Sequence, residues 1–386
     1  MSPALSLILA PALLLVAGGL VYYCLVIAAA IRFRSEPRPE APRPLPSISV
    51  LKPLAGLDLG LRENLQTFFE LDYPNYELLF AVREPGDRAV PIVEQLQSEN
   101  PQVQSSLTVT GEPPPDSPNA KVYSLAAMAR RARHPILLIS DSDIRAYPDQ
   151  LHGVAADFAD SRVGVVTYPY RAVPGRSFWS FLEALGMNSE FWAGVLVARF
   201  VEGMQFAVGP TMAIRRSCLD GQGGFESVKD YLAEDFVLGK RAEEQGYRVE
   251  LSHHVVEHHI GAQSFSANFR HRLRWHRSTR RSRPAGYVGQ VFTHPLPFAI
   301  LSVILAGGSP WSWAMLAVCA VLRLAALLAV SAGVLDDTLA RRYWWVVPLQ
   351  DLASFVLWIL AFFGNEIVWR HRKYRLLRDG RLELLH

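Results

Sequence analysis

The sequence predicts an α/β domain on an open parallel sheet, carried between apolar segments at both ends of the chain. Three observations predict it. Short apolar runs alternate with amphipathic stretches from Ser47 to Leu251, which is the signature of strands joined by helical crossovers. The run Ile136–Ile144, ILLISDSDI, passes abruptly from buried-strand composition to two carboxylates. Residues 1–31 contain no charged side chain, and their length exceeds the roughly 20 residues that span a bilayer.

In chain order, residues 1–31 read as a membrane anchor rather than a cleaved signal, since no basic region precedes the apolar run and that run is too long. Arg32, Arg34, Arg38 and Arg43 follow it directly, which places what comes next in the cytoplasm. Pro37, Pro39, Pro42, Pro44 and Pro46 make residues 32–46 a stiff linker. Ser47–Lys52 and Tyr76–Val82 are then strands on either side of an amphipathic helix over Asp58–Leu71. A helix at Val90–Ser98, a strand at Leu107–Thr110 and a helix at Lys121–Arg131 lead into the central run. Beyond it the pattern predicts a helix at Pro148–Phe158, a strand at Val163–Tyr168 and a helical, aromatic-rich stretch at Phe178–Phe200. A strand at Gln205–Arg215 is broken by Gly209–Pro210, and a helix at Glu234–Gln245 precedes a strand at Arg248–Leu251. Asn268–Arg283 is strongly basic. The domain so delimited is 47–290. Residues 291–386 form a C-terminal membrane region with a basic tail, in which Trp311–Gly333 and Trp344–Phe363 are long enough to span. Phe292–Leu305, with Pro295 and Pro297, reads as interfacial or re-entrant. Two crossings there return the tail Arg370–Arg378 to the cytoplasmic side. Arg323 and Asp351, inside the two spans, are costly against lipid and are expected to face protein.

With 39 Lys and Arg against 36 Asp and Glu, the net charge of +3 carries no nucleic-acid footprint. Three cysteines, Cys24, Cys218 and Cys319, supply neither a disulfide framework nor a CxxC metal pattern.

The chemistry-bearing residues fall at element ends. Asp141 and Asp143, two apart at the end of a buried strand, can face one point where open α/β sheets bind ligands. As hard oxygen donors they suit Mg²⁺ or Mn²⁺ carried with a diphosphate; alone, the pair reads first as a turn after a strand. Asp235, with Glu234, opens a helix whose dipole favours an ionised carboxylate, a position that structural caps also occupy. In His271–Trp275 (HRLRW), Arg274 has the geometry to clamp a diphosphate and Trp275 to stack on a sugar or base, although Arg-Trp pairs also sit at membrane interfaces. Asp87, after the second strand, adds a carboxylate that in isolation is a solvated loop charge.

Taken in order, SVLKPLAGLD (Ser49–Asp58), NLQTFFELDYPNYELLF (Asn64–Phe80), DRA (Asp87–Ala89), NAK (Asn119–Lys121), ISDSDI (Ile139–Ile144), GVVTYPY (Gly164–Tyr170), YLAEDF (Tyr231–Phe236) and the Arg274–Trp275 pair resemble the ceramide glucosyltransferase family of membrane-bound inverting glycosyltransferases. The likeness covers nearly all of residues 48–285. It implies a GT-A-type nucleotide-sugar-binding domain with a Rossmann-like mixed sheet and N-terminal and C-terminal transmembrane helices. It further implies transfer of a hexose from a UDP-sugar donor to the hydroxyl of a membrane lipid acceptor at the cytoplasmic face of the bilayer, in a bacterial inner membrane. The roles it implies are general base for Asp235 and uridine contact for Asp87. Asp141 and Asp143 would be metal ligands, while Lys121 and Arg274 would neutralise the departing UDP beside Trp275. Glu234, His271 and Gly209 fall to the acceptor side or to support. Two features depart from the animal enzymes: His271 stands where the family has Arg or Gln, and Arg277–Gly289 resembles the hopanoid-linked bacterial branch. N-acetylglucosamine transfer to a hopanoid polyol is therefore an alternative, beside a processive polysaccharide synthase and a non-catalytic sugar-nucleotide-binding scaffold.

Overall fold

The computed structural model describes residues 3–114, 116–369 and 372–385; Met1, Ser2 and Arg370 of the expected anchor and tail lie outside them. The chain divides into two compact units, and neither is contiguous. One comprises residues 1–36, 177–203 and 263–365, the other 37–176, 204–262 and 366–386. Relative to the expected 47–290 domain, the aromatic stretch Ser177–Gly203 and the basic segment after Gln263 pack with the apolar helices, while the tail joins the sheet-bearing unit.

The sheet-bearing unit contains thirteen strands among the described residues: β1 Ile48–Pro53, β2 Tyr76–Val82, β3 Ser105–Val109, β4 Ile136–Ser140, β5 Ile144–Arg145, β6 Val163–Thr167, β7 Tyr170–Pro174, β8 Thr211–Arg215, β9 Arg248–Leu251, β10 Val256–Ile260, β11 Glu366–Trp369, β12 Arg372–Leu376 and β13 Leu382–Leu385. Seven form the main sheet in the order β3-β2-β1-β4-β8-β6-β9. β1, β2, β3 and β4 pair in parallel, as do β6 and β9, but β8 runs antiparallel to both its neighbours. The sheet is thus mixed. β4 is buried at every position, as its unbroken apolar run requires of a strand covered on both faces. The strand expected over Gln205–Arg215 is confined to Thr211–Arg215, because Pro210 has no amide to donate to a ladder. Its reversed direction brings the Gly209–Pro210 turn to the C-terminal end of β4, where Pro210 O accepts from Asp141 N at 2.9 Å.

Two small sheets complete the unit. In the order β5-β10-β7, one closes the DSDI turn from below: His258 is paired with Ile144, and His259 N donates to Asp143 O at 2.8 Å. The other, β11-β12-β13, is antiparallel and occupies the stretch read from sequence as a basic tail. Period-two alternation buries Ile367, Tyr374, Leu376 and Leu382 with Leu232 on one face and puts Glu366, Lys373, Arg375 and Glu383 on the other.

In the other unit, the helix Pro3–Ser35 is uninterrupted despite Pro11 and ends in Arg32 and Arg34. Gly18 and Gly19 lie where a Cβ would fall 2.5 Å from Phe292 and 2.4 Å from Pro295, so only glycine permits this approach. Phe178–Gly186 and Trp192–Glu202 are helices joined by a π turn, and Phe265–Ser282 is a third. Among the described residues, two helices are long and apolar enough to cross a membrane, Leu7–Ser35 and Pro310–Ala332. The stretch Trp344–Phe363, also expected to span, holds a shorter apolar helix, Trp344–Leu360, which opens as a 3₁₀ turn and is α-helical over Val347–Leu360. The Phe292–Leu305 region belongs to a pair, Pro284–Thr293 and Pro295–Leu305, bent by 51° at the proline boundary, a break compatible with a broken span as well as with the expected re-entrant piece. Arg323 and Asp351 meet each other through two bonds of 2.8 Å, as the cost of unpaired charge in apolar surroundings demands.

Candidate active site

The acidic side chains collect where β1 and β4 end and where the helices Ala120–Arg131 and Glu234–Glu244 begin. Lys52, near the end of β1, is fully buried. Its ammonium donates to Ser140 Oγ at 3.2 Å and to Asp141 O at 2.5 Å, and stands 3.9 Å from the centroid of Phe68. Burial lowers its pKa to about 7 against the pull of Asp141, Asp143 and Asp58. Lys52 therefore ties the start of the DSD turn to the neighbouring strand.

Lys121 comes from the first turn of the helix Ala120–Arg131. Asn119 caps that helix, its Oδ1 accepting from Lys121 N at 3.0 Å and Val122 N at 3.2 Å. The Lys121 ammonium is 2.8 Å from Asp141 Oδ1 and 3.0 Å from Glu234 Oε1. Burial opposes its charge, yet the carboxylates of Asp141 and Glu234 hold its pKa above the ordinary value. Asp143 turns the other way. Its Oδ2 lies 3.1 Å from His258 Nε2, and although burial would raise its pKa, His258 and Lys52 hold it at about 2. Its second oxygen, Oδ1, is buried with no hydrogen-bond partner.

Asp235 and Glu234 open the helix Glu234–Glu244. Burial and the adjacent Glu234 raise the Asp235 pKa to about 7, with Lys121 pulling it down. A Cβ on Gly209 would stand 2.8 Å from Asp235 Oδ2, so the missing side chain makes the room in which this carboxylate sits. The structure thus brings Lys121, Asp141, Asp143, Glu234, Asp235 and Gly209 into one neighbourhood. Asp87 is engaged separately: both its oxygens accept from Gly56 N at 3.0 Å, and Oδ1 accepts from Ala89 N at 2.9 Å, closing the loop after β1 onto the loop after β2.

His271, Arg274 and Trp275 belong to the other unit. There His271 Nδ1 lies 2.8 Å from the buried Glu183, which also accepts from Asn268 Nδ2, and its ring is 5.1 Å from that of Trp275. Lys52 and His258 were missed from sequence. A lysine inside the apolar run SVLKP was a usable signal, because a charge in a buried strand needs a partner. His258 lies in a strand too short and polar to stand out.

A family model described as glycosyl transferase family 21 matches residues 11–382. The chain belongs to that family. It is a glycosyltransferase, as its ordered motifs implied. It is 26% identical over 364 residues to ceramide glucosyltransferase 1 of Caenorhabditis elegans, covering 91% of this chain and 75% of that protein. Against ceramide glucosyltransferase 3 of the same organism the identity is 26% over 269 residues, and the match spans 58% of that relative. Among solved structures, a mannosyltransferase from Pyrobaculum calidifontis in complex with GDP-Man and Mn²⁺ superposes with a TM-score of 0.54 at 20% identity, covering 92% of this chain and 99% of the other, a likeness of fold.

Proposed function

We propose that this glycosyltransferase moves a hexose, glucose foremost, from a UDP-sugar to the hydroxyl of a membrane lipid of ceramide type, with inversion at the anomeric carbon. The observation that carries the reading is the crowding of Asp141, Glu234 and Asp235 around the single ammonium of Lys121 at the sheet's C-terminal edge. Carboxylate in such excess is costly unless a cationic or proton-bearing ligand completes it. Similarity to relatives named ceramide glucosyltransferases supports an acceptor of ceramide type.

In this reading Asp235 accepts the proton of the attacking lipid hydroxyl. Its pKa of about 7 suits a group that must take up and release a proton near neutrality. Lys121 stabilises the charge that develops on the leaving diphosphate. Asp141 and Asp143 fit a divalent ion, Mg²⁺ or Mn²⁺. Both are oxygen donors and Asp143 Oδ1 is buried without a partner, which suits an ion that takes one or two carboxylates plus phosphate oxygens. Such an ion supplies Lewis-acid charge to the diphosphate. Assignment of Asp87 to the uridine and of Arg274 and Trp275 to the donor rests on the motifs alone. A second reading, N-acetylglucosamine transfer to a hopanoid polyol, is favoured by His271 and the run Arg277–Gly289.

The orientation proposed is cytoplasmic. Residues 37–176 and 366–386 share one unit, so the chain between Ala262 and Glu366 crosses the membrane an even number of times. Pro310–Ala332 supplies one crossing and either the bent pair or Trp344–Leu360 the other. Labelled UDP-glucose and UDP-N-acetylglucosamine, each offered with ceramide or a hopanoid polyol in detergent micelles, test the chemistry. Labelled glucosylceramide is the expected product, and no transfer to either lipid from either donor overturns the proposal.

A further inference from the structure

The helix that carries Glu234 and Asp235 starts without a side-chain cap. Its N-cap position is Ala233, which has no side chain to close the first turn. The preceding segment is instead held from two directions. On one side Asn119 N donates to Lys229 O at 3.1 Å, and Asn119 Nδ2 donates to Tyr231 O at 2.7 Å and reaches Glu234 Oε2 at 3.4 Å. On the other side the C-terminal sheet pairs with it: Leu382 N donates to Asp230 O at 2.6 Å, Leu232 N to Gly380 O at 3.4 Å, and Tyr231 bridges Arg381. The same sheet reaches the segment before Asn119, where Tyr374 Oη donates to Pro118 O at 3.3 Å. Asn119 is fully buried and uses both ends of its amide, one for Lys121 and the other for the Glu234 loop.

We propose that Asn119 and the C-terminal sheet Glu366–Leu385 form a clamp that sets the distance between Lys121 and the Glu234–Asp235 pair, making Asn119 and Tyr374 positioning residues for the transfer. The inference rests on the reading of Asp235 as the base. The clamp holds two loops that arrive from far apart in sequence, and misplacing reacting groups by about 1 Å costs on the order of a hundredfold in rate. A tail that only covered apolar surface would have no need of the Tyr231, Leu232 and Asp230 backbone.

The test uses the full chain in detergent. Asn119→Ser keeps a residue that caps helices well but is too short to bridge to Tyr231. The expected result is a fall in kcat of roughly ten- to a hundredfold, with the KM for the donor within about twofold and the melting temperature near wild type. Tyr374→Phe removes only the hydroxyl, and the expected loss is a smaller kcat decrease of about threefold with the same unchanged KM. If Asn119→Ser retains kcat within about twofold, or if both variants lose rate only in proportion to folded protein, the clamp is disproved. Asp235→Asn separates the two ideas: near-wild-type turnover in that variant removes the base assignment and leaves the distance-setting role to be read from Asn119→Ser alone.

Discussion

Buried charge is treated in two different ways in this molecule. Arg323 and Asp351 form a closed account of one cation and one carboxylate, joined by two parallel bonds of 2.8 Å. At the end of β4, by contrast, Lys121 serves both Asp141 and Glu234 while Asp235 and the unpartnered oxygen of Asp143 stand beside them. The first arrangement is balanced one to one, and Arg323 also donates to Ser189 Oγ at 3.3 Å. The second is short of positive charge, and that deficit marks a place where a substrate, an ion or a proton belongs. Burial alone does not distinguish structure from chemistry; the balance of partners does.

The sharpest way to break the comparison is Asp235→Asn. Loss of a general base predicts a fall in kcat of about 10² to 10⁴-fold, with UDP-sugar binding retained in calorimetry; unchanged turnover would place Asp235 with the structural charges. Next comes the matched pair. Asp351→Asn leaves the Arg323 guanidinium buried without its counter-ion, a loss of about 3–5 kcal/mol in detergent unfolding. The Arg323→Met, Asp351→Leu double variant should regain most of it, and a double variant as weak as the single one would mean that the pair is more than a balanced charge. Lys121→Met should cost stability at pH 8 by a few kcal/mol and lose part of that penalty at pH 5, as the abandoned carboxylates take up protons; a pH-independent penalty argues that Lys121 is not the cation they share.

The smallest effect concerns Asp235 itself. Its pKa is raised from 3.8 to about 7, so the folded state binds the proton more tightly than the unfolded state. The stabilisation is fully present below pH 3.8 and is lost as pH rises through about 7. Activity moves oppositely, since a base must be deprotonated: kcat/KM should fall about tenfold per unit below that pKa. A pH–rate profile flat from pH 5 to 8 contradicts the assignment.

Much of the site was legible because its residues stand at the boundaries of strongly patterned elements. The apolar run before Asp141 fixed β4, and the charge-rich helix beginning at Glu234 was visible from composition. Strand direction was not legible: nothing in TMAIR distinguishes a parallel from an antiparallel strand, so the Gly209–Pro210 turn and its approach to Asp141 and Asp235 emerge only from the sheet. The C-terminal sheet escaped because its strands have four or five residues each and its arginines outweigh the alternation of Tyr374, Leu376 and Leu382. The divided units were hidden for a related reason, since a linear profile cannot tell an aromatic helix that packs among membrane helices from one that packs on a sheet.

The strands at Glu366–Leu385 are joined to the apolar helices by chain but to the sheet-bearing unit by packing. Cleavage of the polypeptide just before Glu366 would therefore free the residues that bond Asp230 and Leu232 from their covalent tie to the apolar helices, while the pairing itself could still hold them.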